Sequence, residues 1–158
     1  MKYLIDGLVN ISSMLKYLLM KEIITLPAKS VKVKKSSAGL GLYATVDIPK
    51  KSWIIEYTGK KVLNKEVEQN TTKYLFEINN RWTIDGGTRT NTARYINHAC
   101  KPNAEPEIKG HRIYIQATKN IKAGEEITYN YGKEYFNKFI KPYGCRCVSC
   151  VEKRKVSK

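Results

Sequence analysis

The chain has 158 residues with 42% hydrophobic and 27% charged content, enough for the core of one compact domain and too little for two. Lys and Arg number 29 against 14 Asp and Glu, so the net charge of +15 predicts attraction to polyanions or acidic surfaces, as on nucleic acid, nucleosomes or ribosomes. A mean hydropathy of -0.47, with no apolar run near the ~18 residues a bilayer requires, excludes a membrane-spanning helix.

In chain order, Leu4, Leu8, Ile11, Leu15 and Leu18 fall at helical spacing and predict an amphipathic helix over residues 1–27, stopped by Pro27. Its stripe is expected to pack on the domain, with homodimerisation or membrane-surface attachment as alternatives. Asp6, Asn10 and Lys16 interrupt the apolar run that an export signal needs, so a cytoplasmic or nuclear, chromatin-associated location is expected, a host nucleus included. From Val31 short strands alternate with turn residues: Val31 to Lys34, Leu42 to Thr45, Trp53 to Tyr57, Tyr74 to Ile78, Arg81 to Ile84, Arg112 to Gln116 and Ile127 to Tyr129. Helical signals are confined to Asn64 to Asn70 and Glu134 to Ile140, so the crossover helices of a parallel sheet are missing and a dinucleotide-binding α/β fold is excluded. The expected class is mostly β (α+β), closing on a frayed basic tail from Lys153 to Lys158.

Four segments carry chemistry. Gly39 to Tyr43 spell G-x-G-x-Y, where glycines let backbone amides approach a ligand closely; alone, such a pair is as often a simple turn. Arg94 to Asn103 concentrate a cation, two amides, an imidazole and a thiol in a stretch too polar for core filling, although a lone His98 is more often a structural histidine. Tyr129 and Tyr131 share one side of an extended segment. Cys145, Cys147 and Cys150 form C-x-C-x-x-C, three thiols able to converge on a metal with one tetrahedral vertex left over, in a chain whose cysteine usage suits a reducing compartment.

In order and spacing, these segments resemble the SET domain of protein-lysine methyltransferases. The resemblance covers about residues 30 to 151. It rests on G-x-G-x-Y, on E-Y-x-G at Glu56 to Gly59, and on Y-L-F at Tyr74 to Phe76. Further on come Ile84 and Asp85, the run Asn91 to Asn103, and G-E-E-I-T-Y-x-Y-G at Gly124 to Gly132, closed by a post-SET cysteine cluster. The small size and short pattern look like bacterial or viral members.

The resemblance implies a SET fold of several small β-sheets with a C-terminal pseudoknot that brings the Asn97–His98 region against the tyrosine segment. It implies a SET domain over 28–132, a post-SET zinc segment over 133–151 and a tail over 152–158. The activity implied is S-adenosylmethionine-dependent methylation of lysine on a histone or another basic protein, ribosomal ones included. By resemblance Tyr131 is the principal catalytic tyrosine and Tyr57 a second channel wall, while Tyr129 occupies the position at which tyrosine favours monomethylation. Cofactor contacts fall on Leu40, Gly41, Tyr74, Arg94, Asn97, His98 and Tyr131. Cys100 supplies the fourth ligand of a structural Zn2+ beside Cys145, Cys147 and Cys150. Ala99 and Asn130 depart from the usual serine and aspartate. The alternative is a catalytically inactive SET-fold module that binds basic tails or nucleic acid.

Overall fold

The computed structural model describes residues 23–67 and 73–156. Most of the N-terminal helix expected over 1–27 lies outside these residues, and 23–27 form no helix. Leu26 packs on the core, its N–H bonded to the Trp53 carbonyl at 2.9 Å.

Three small sheets make up the body. The first orders β1 (Val31–Ser36), β2 (Gly39–Ala44), β10 (Glu126–Tyr129) and β7 (Asn97–His98) side by side. The second orders β3 (Trp53–Tyr57), β9 (Arg112–Ala117) and β8 (Ala104–Lys109), and the third β4 (Lys60–Leu63), β6 (Trp82–Asp85) and β5 (Leu75–Glu77). Their inward side chains meet in one core, where Leu42, Ile48, Ile54, Ile96, Ile113, Ile115, Ile121 and Ile127 are almost wholly enclosed. Each such side chain contributes about 1.5–3 kcal/mol of burial.

Among the described residues all strand pairings are antiparallel but one. Thr128 and Tyr129 of β10 run parallel to Asn97 and His98 of β7, so two motifs about thirty positions apart become neighbours. Strict alternation along β10 then divides its work: Ile127 and Tyr129 are buried, while Glu126 and Thr128 face the other way and are half-buried.

Three strands lie beyond the predicted set: β4, the two-residue β7, and β8, whose Pro106 sits on a sheet edge where no ladder hydrogen bond is lost. Helix is scarce among the described residues. Helix α1 (Asn64–Val67) follows β4, and α2 (Lys133–Tyr135) widens into a π-type turn over Phe136–Ile140 and a 3-10 turn over Lys141–Tyr143. Helix α3 (Val148–Val156) replaces the expected fraying over residues 153–156. Arg154 ties it down by donating to the Cys145 carbonyl at 2.7 Å.

Candidate active site

A cleft of about 1260 Å³ lies between the first and third sheets and the C-terminal segment. That exceeds the ~300–1,000 Å³ of a typical small-molecule site and leaves room for two ligands meeting end to end. Of the expected site residues, Leu40, Tyr57, Tyr74, Arg94, Asn97, His98, Tyr129 and Tyr131 line it; Gly41 does not.

The middle of the cleft is aromatic. Tyr129 and Tyr131 stack obliquely with centroids 4.9 Å apart, Tyr135 stands edge-on to Tyr131 at 5.0 Å, and Phe76 bridges Tyr57 at 5.6 Å and Tyr129 at 6.4 Å. Burial pushes the phenols of Tyr57, Tyr129 and Tyr131 well above their ordinary range, with neighbouring tyrosines adding to it, so all three stay neutral at physiological pH. Two hydroxyls are aimed by backbone: Tyr131 donates to the Ile96 carbonyl at 2.6 Å and Tyr57 to the Tyr74 carbonyl at 2.7 Å. Gly86 sits against the Tyr57 ring so closely that a Cβ there would meet it at 2.4 Å, and buried Asn91 holds that turn by donating to the Gly86 carbonyl.

At the other end the lining is polar. The Arg94 guanidinium lies 3.9 Å from the Tyr74 ring centroid and donates through one terminal nitrogen to the Gly87 carbonyl. Its Nε is buried with no hydrogen-bond partner. An unsatisfied buried donor costs about 1–3 kcal/mol, and an acceptor on a bound molecule would remove that cost. Asn97 donates to the Leu40 carbonyl at 2.9 Å. The Tyr131 N–H donates to His98 Nδ1 at 3.2 Å, which places the imidazole proton on Nε2, 3.5 Å from the Cys100 sulfur. Burial lowers the pKa of His98 and favours the neutral ring that accepting the Tyr131 N–H at Nδ1 needs.

Cys100, Cys145, Cys147 and Cys150 converge with all four sulfurs within 4.8 Å of one another. The separations of 3.9 Å for Cys100–Cys145 and 3.6 Å for Cys100–Cys150 match the ~3.8 Å edge of a tetrahedron with ~2.3 Å zinc–sulfur bonds. Burial raises the pKa of Cys147, but hydrogen bonds from the Cys100 and Cys150 backbones, the Ser149 hydroxyl and the Cys145 thiol outweigh it and hold it at about 6. Burial, together with adjacent thiols, pushes Cys100 and Cys145 up, since four crowded sulfurs resist joint ionisation until a cation joins them. The donor set fits Zn2+.

A SET-domain family profile matches residues 39–132. The chain belongs to the SET-domain family. It is 38% identical over 125 residues to human histone-lysine N-methyltransferase 2D, a match covering 71% of this chain and 2% of that protein. It is also 38% identical over 138 residues to the putative histone-lysine N-methyltransferase ASHH4 of Arabidopsis thaliana, covering 77% of this chain and 38% of the relative. Among solved structures, the Chaetomium thermophilum polycomb repressive complex 2 superposes with a TM-score of 0.61 at 36% identity, covering 68% of this chain and 16% of that one. The chain thus spans well under two thirds of the relatives it matches.

Around this cleft, several contributors escaped sequence reading. Tyr135 was visible only as part of a helical signal, although its ring closes the channel against Tyr131. Phe139 stacks on Tyr135 at 4.7 Å and extends the aromatic wall outward. Asn130 keeps the turn that the usual aspartate would make, accepting from the Gly132 N–H at 3.0 Å. A Cβ at Gly41 would lie 2.3 Å from a Glu126 carboxylate oxygen and 2.9 Å from the Ser36 Cβ.

Proposed function

We propose that this chain is a protein-lysine N-methyltransferase that takes its methyl group from S-adenosylmethionine and delivers it to a histone or another basic protein. The names of its relatives support lysine methylation, and the observation that carries the reading is the neutral, backbone-aimed tyrosine channel at the centre of the cleft. The catalytic core corresponds to residues 28–132 and the post-SET segment to 133–151.

S-adenosylmethionine, when bound, supplies an electrophilic methyl group on a sulfonium. The protein's task is alignment and desolvation. Leu40, Tyr74, Arg94, Asn97 and His98 form the cofactor wall, with the unpartnered Arg94 Nε as a donor to a carboxylate. Tyr57, Tyr129 and Tyr131 wall the channel through which the lysine enters. Free lysine has a pKa of ~10.4, and the dry aromatic surround favours its neutral form. The entering lysine would first lose its ammonium proton to solvent; with S-adenosylmethionine bound, Tyr57, Tyr129 and Tyr131 would hold the neutral amine in line with the methyl group, whose transfer would leave a methylammonium product. Neither Tyr57 nor Tyr131 serves as base, because burial keeps both phenols protonated. Tyr129 restricts turning of an already methylated amine, so monomethyl-lysine is the main product.

Cys100, Cys145, Cys147 and Cys150 hold a structural Zn2+ that folds residues 133–156 over the cleft. The +15 charge favours DNA-wrapped substrate and a chromatin location, a contact that raising ionic strength weakens steeply.

The test is transfer of radiolabelled methyl from S-adenosylmethionine to core histones, nucleosomes and whole-cell extract by the wild type and by Tyr131→Phe. Labelling of a discrete protein by the wild type alone is the expected result. No labelling by a folded, zinc-loaded chain would overturn it in favour of a non-catalytic module that binds basic tails.

A further inference from the structure

The Glu126 carboxylate collects three separate strands. Its Oε2 accepts from the Ser36 hydroxyl of β1 at 2.9 Å and lies 3.3 Å from the Tyr43 hydroxyl of β2, whose one proton it shares with the Lys35 carbonyl at 3.1 Å, while its Oε1 accepts from the Asn97 amide of β7 at 2.7 Å. These partners lie 90, 83 and 29 positions away in the chain. The Asn97 Nδ2 that donates to Glu126 also donates to the Leu40 carbonyl, so both of its hydrogens are used inside the protein. Of its side-chain polar atoms only Oδ1 is left for a ligand, and its main chain is paired with β10. The carboxylate also occupies the space beside Gly41 that any side chain would need.

We propose that Glu126 is a positioning residue for the cofactor wall: it locks the Asn97 amide onto Leu40, so that the β2 edge and the β7 edge of the cleft form one preorganised surface. A Cβ at Gly41 would lie 2.3 Å from this carboxylate and 2.9 Å from the Ser36 Cβ, so the second glycine of the G-x-G motif leaves room for both. The inference rests on the methyltransferase reading, since the molecule bound at that wall is S-adenosylmethionine. Preorganisation is the physical reason for an effect on affinity: an Asn97 amide released from Glu126 samples several rotamers and must be re-ordered on binding. The chemistry of transfer, at the Tyr57, Tyr129 and Tyr131 end, does not involve Glu126.

The experiment is calorimetric titration of S-adenosylhomocysteine into zinc-loaded wild type, Glu126→Ala, Glu126→Gln, Gly41→Ala and the Gly41→Ala/Glu126→Ala double variant, with thermal midpoints measured in parallel. Glu126→Ala is expected to weaken binding about tenfold, the loss that follows from one released hydrogen-bond anchor. At saturating cofactor its kcat and peptide KM stay within about twofold of wild type. Glu126→Gln retains affinity within about twofold, because its amide oxygen can still face Asn97 while its nitrogen donates to the Ser36 oxygen. Gly41→Ala displaces the carboxylate and weakens binding comparably to Glu126→Ala, yet adds little in the double variant, a non-additivity that marks a shared interaction. Unchanged affinity in Glu126→Ala, a lowered melting point without loss of affinity, or strict additivity of the two alanines would each overturn the assignment. Should Glu126→Ala not fold, Ser36→Ala with Tyr43→Phe frees the other carboxylate oxygen: weakened binding at unchanged kcat supports the role, and wild-type affinity overturns it. A wild type that binds no S-adenosylhomocysteine overturns the cofactor reading itself, and this inference with it.

Discussion

Tyr57 and Tyr129 line the cleft from within a core that includes Ile54, Ile96 and Ile127, whereas among described residues 133–156 the sole buried side chain is Cys145. One half of the cleft is thus held by apolar burial, and the other by four thiols and a few backbone contacts such as Ser37 to the Arg146 carbonyl at 2.9 Å. Burial is distributed over many side chains and resists any single chemical insult. A metal cross-link concentrates the same task in one ion, as in small domains too poor in apolar surface to fold unaided. His98 joins the halves, with Tyr131 on one ring nitrogen and Cys100 beside the other.

Four experiments press on this contrast. Tyr131→Phe strikes the buried half at its chemistry: a loss of methyl transfer on the order of 10²-fold is expected, by analogy with removal of one aimed group from a preorganised site. S-adenosylhomocysteine binding should remain, and steady-state kinetics with calorimetry separate the two. Chelation, or Cys145→Ser, strikes the other half. Activity should fall on the order of 10-fold or more, while hydrogen exchange speeds up over residues 133–156 and leaves β9 protected. Simultaneous loss of protection in both regions would show that the cluster supports the core as well. Tyr129→Phe is expected to change product rather than rate, shifting mass-spectrometric output from monomethyl- towards di- and trimethyl-lysine; trimethyl product already dominant in the wild type would remove the basis for this.

The smallest effect is on alkaline stability. The phenols of Tyr57, Tyr129, Tyr131 and Tyr135 are raised, chiefly by burial, so the folded chain keeps protons that an unfolded one releases near pH 10. Fewer protons on the unfolded state make stability fall with pH there. The contribution of these groups is whole below pH ~10 and is lost as pH climbs past it, at up to about 1.4 kcal/mol per pH unit for each of Tyr57, Tyr129 and Tyr131 and less for the half-exposed Tyr135, which solvent screens. Urea midpoints across pH 9 to 11 should decline, and less so in Tyr129→Phe.

Much of the site was legible because it is written in contiguous motifs. The cysteines, Tyr129 with Tyr131, and the Asn97–His98 pair announce themselves by residue type and spacing. Tyr135, Phe139 and Glu126 did not, since their roles depend on partners brought near by folding; the bond between Glu126 and Ser36 spans 90 positions. The body of the domain could be read from β-branched runs such as Arg112 to Gln116. Strand β8 hid behind Pro106 and its flanking glutamates, and α3, with no residue buried, shows no apolar stripe to reveal a helix.

The parallel pairing of Thr128 and Tyr129 with Asn97 and His98 also sets an order of events in time. Two-residue contacts across some thirty positions gain little energy for the loop they close, so they follow the local hairpins β1–β2 and β8–β9 rather than precede them. A ribosome must release the chain beyond Tyr131 before the aromatic cleft can be complete.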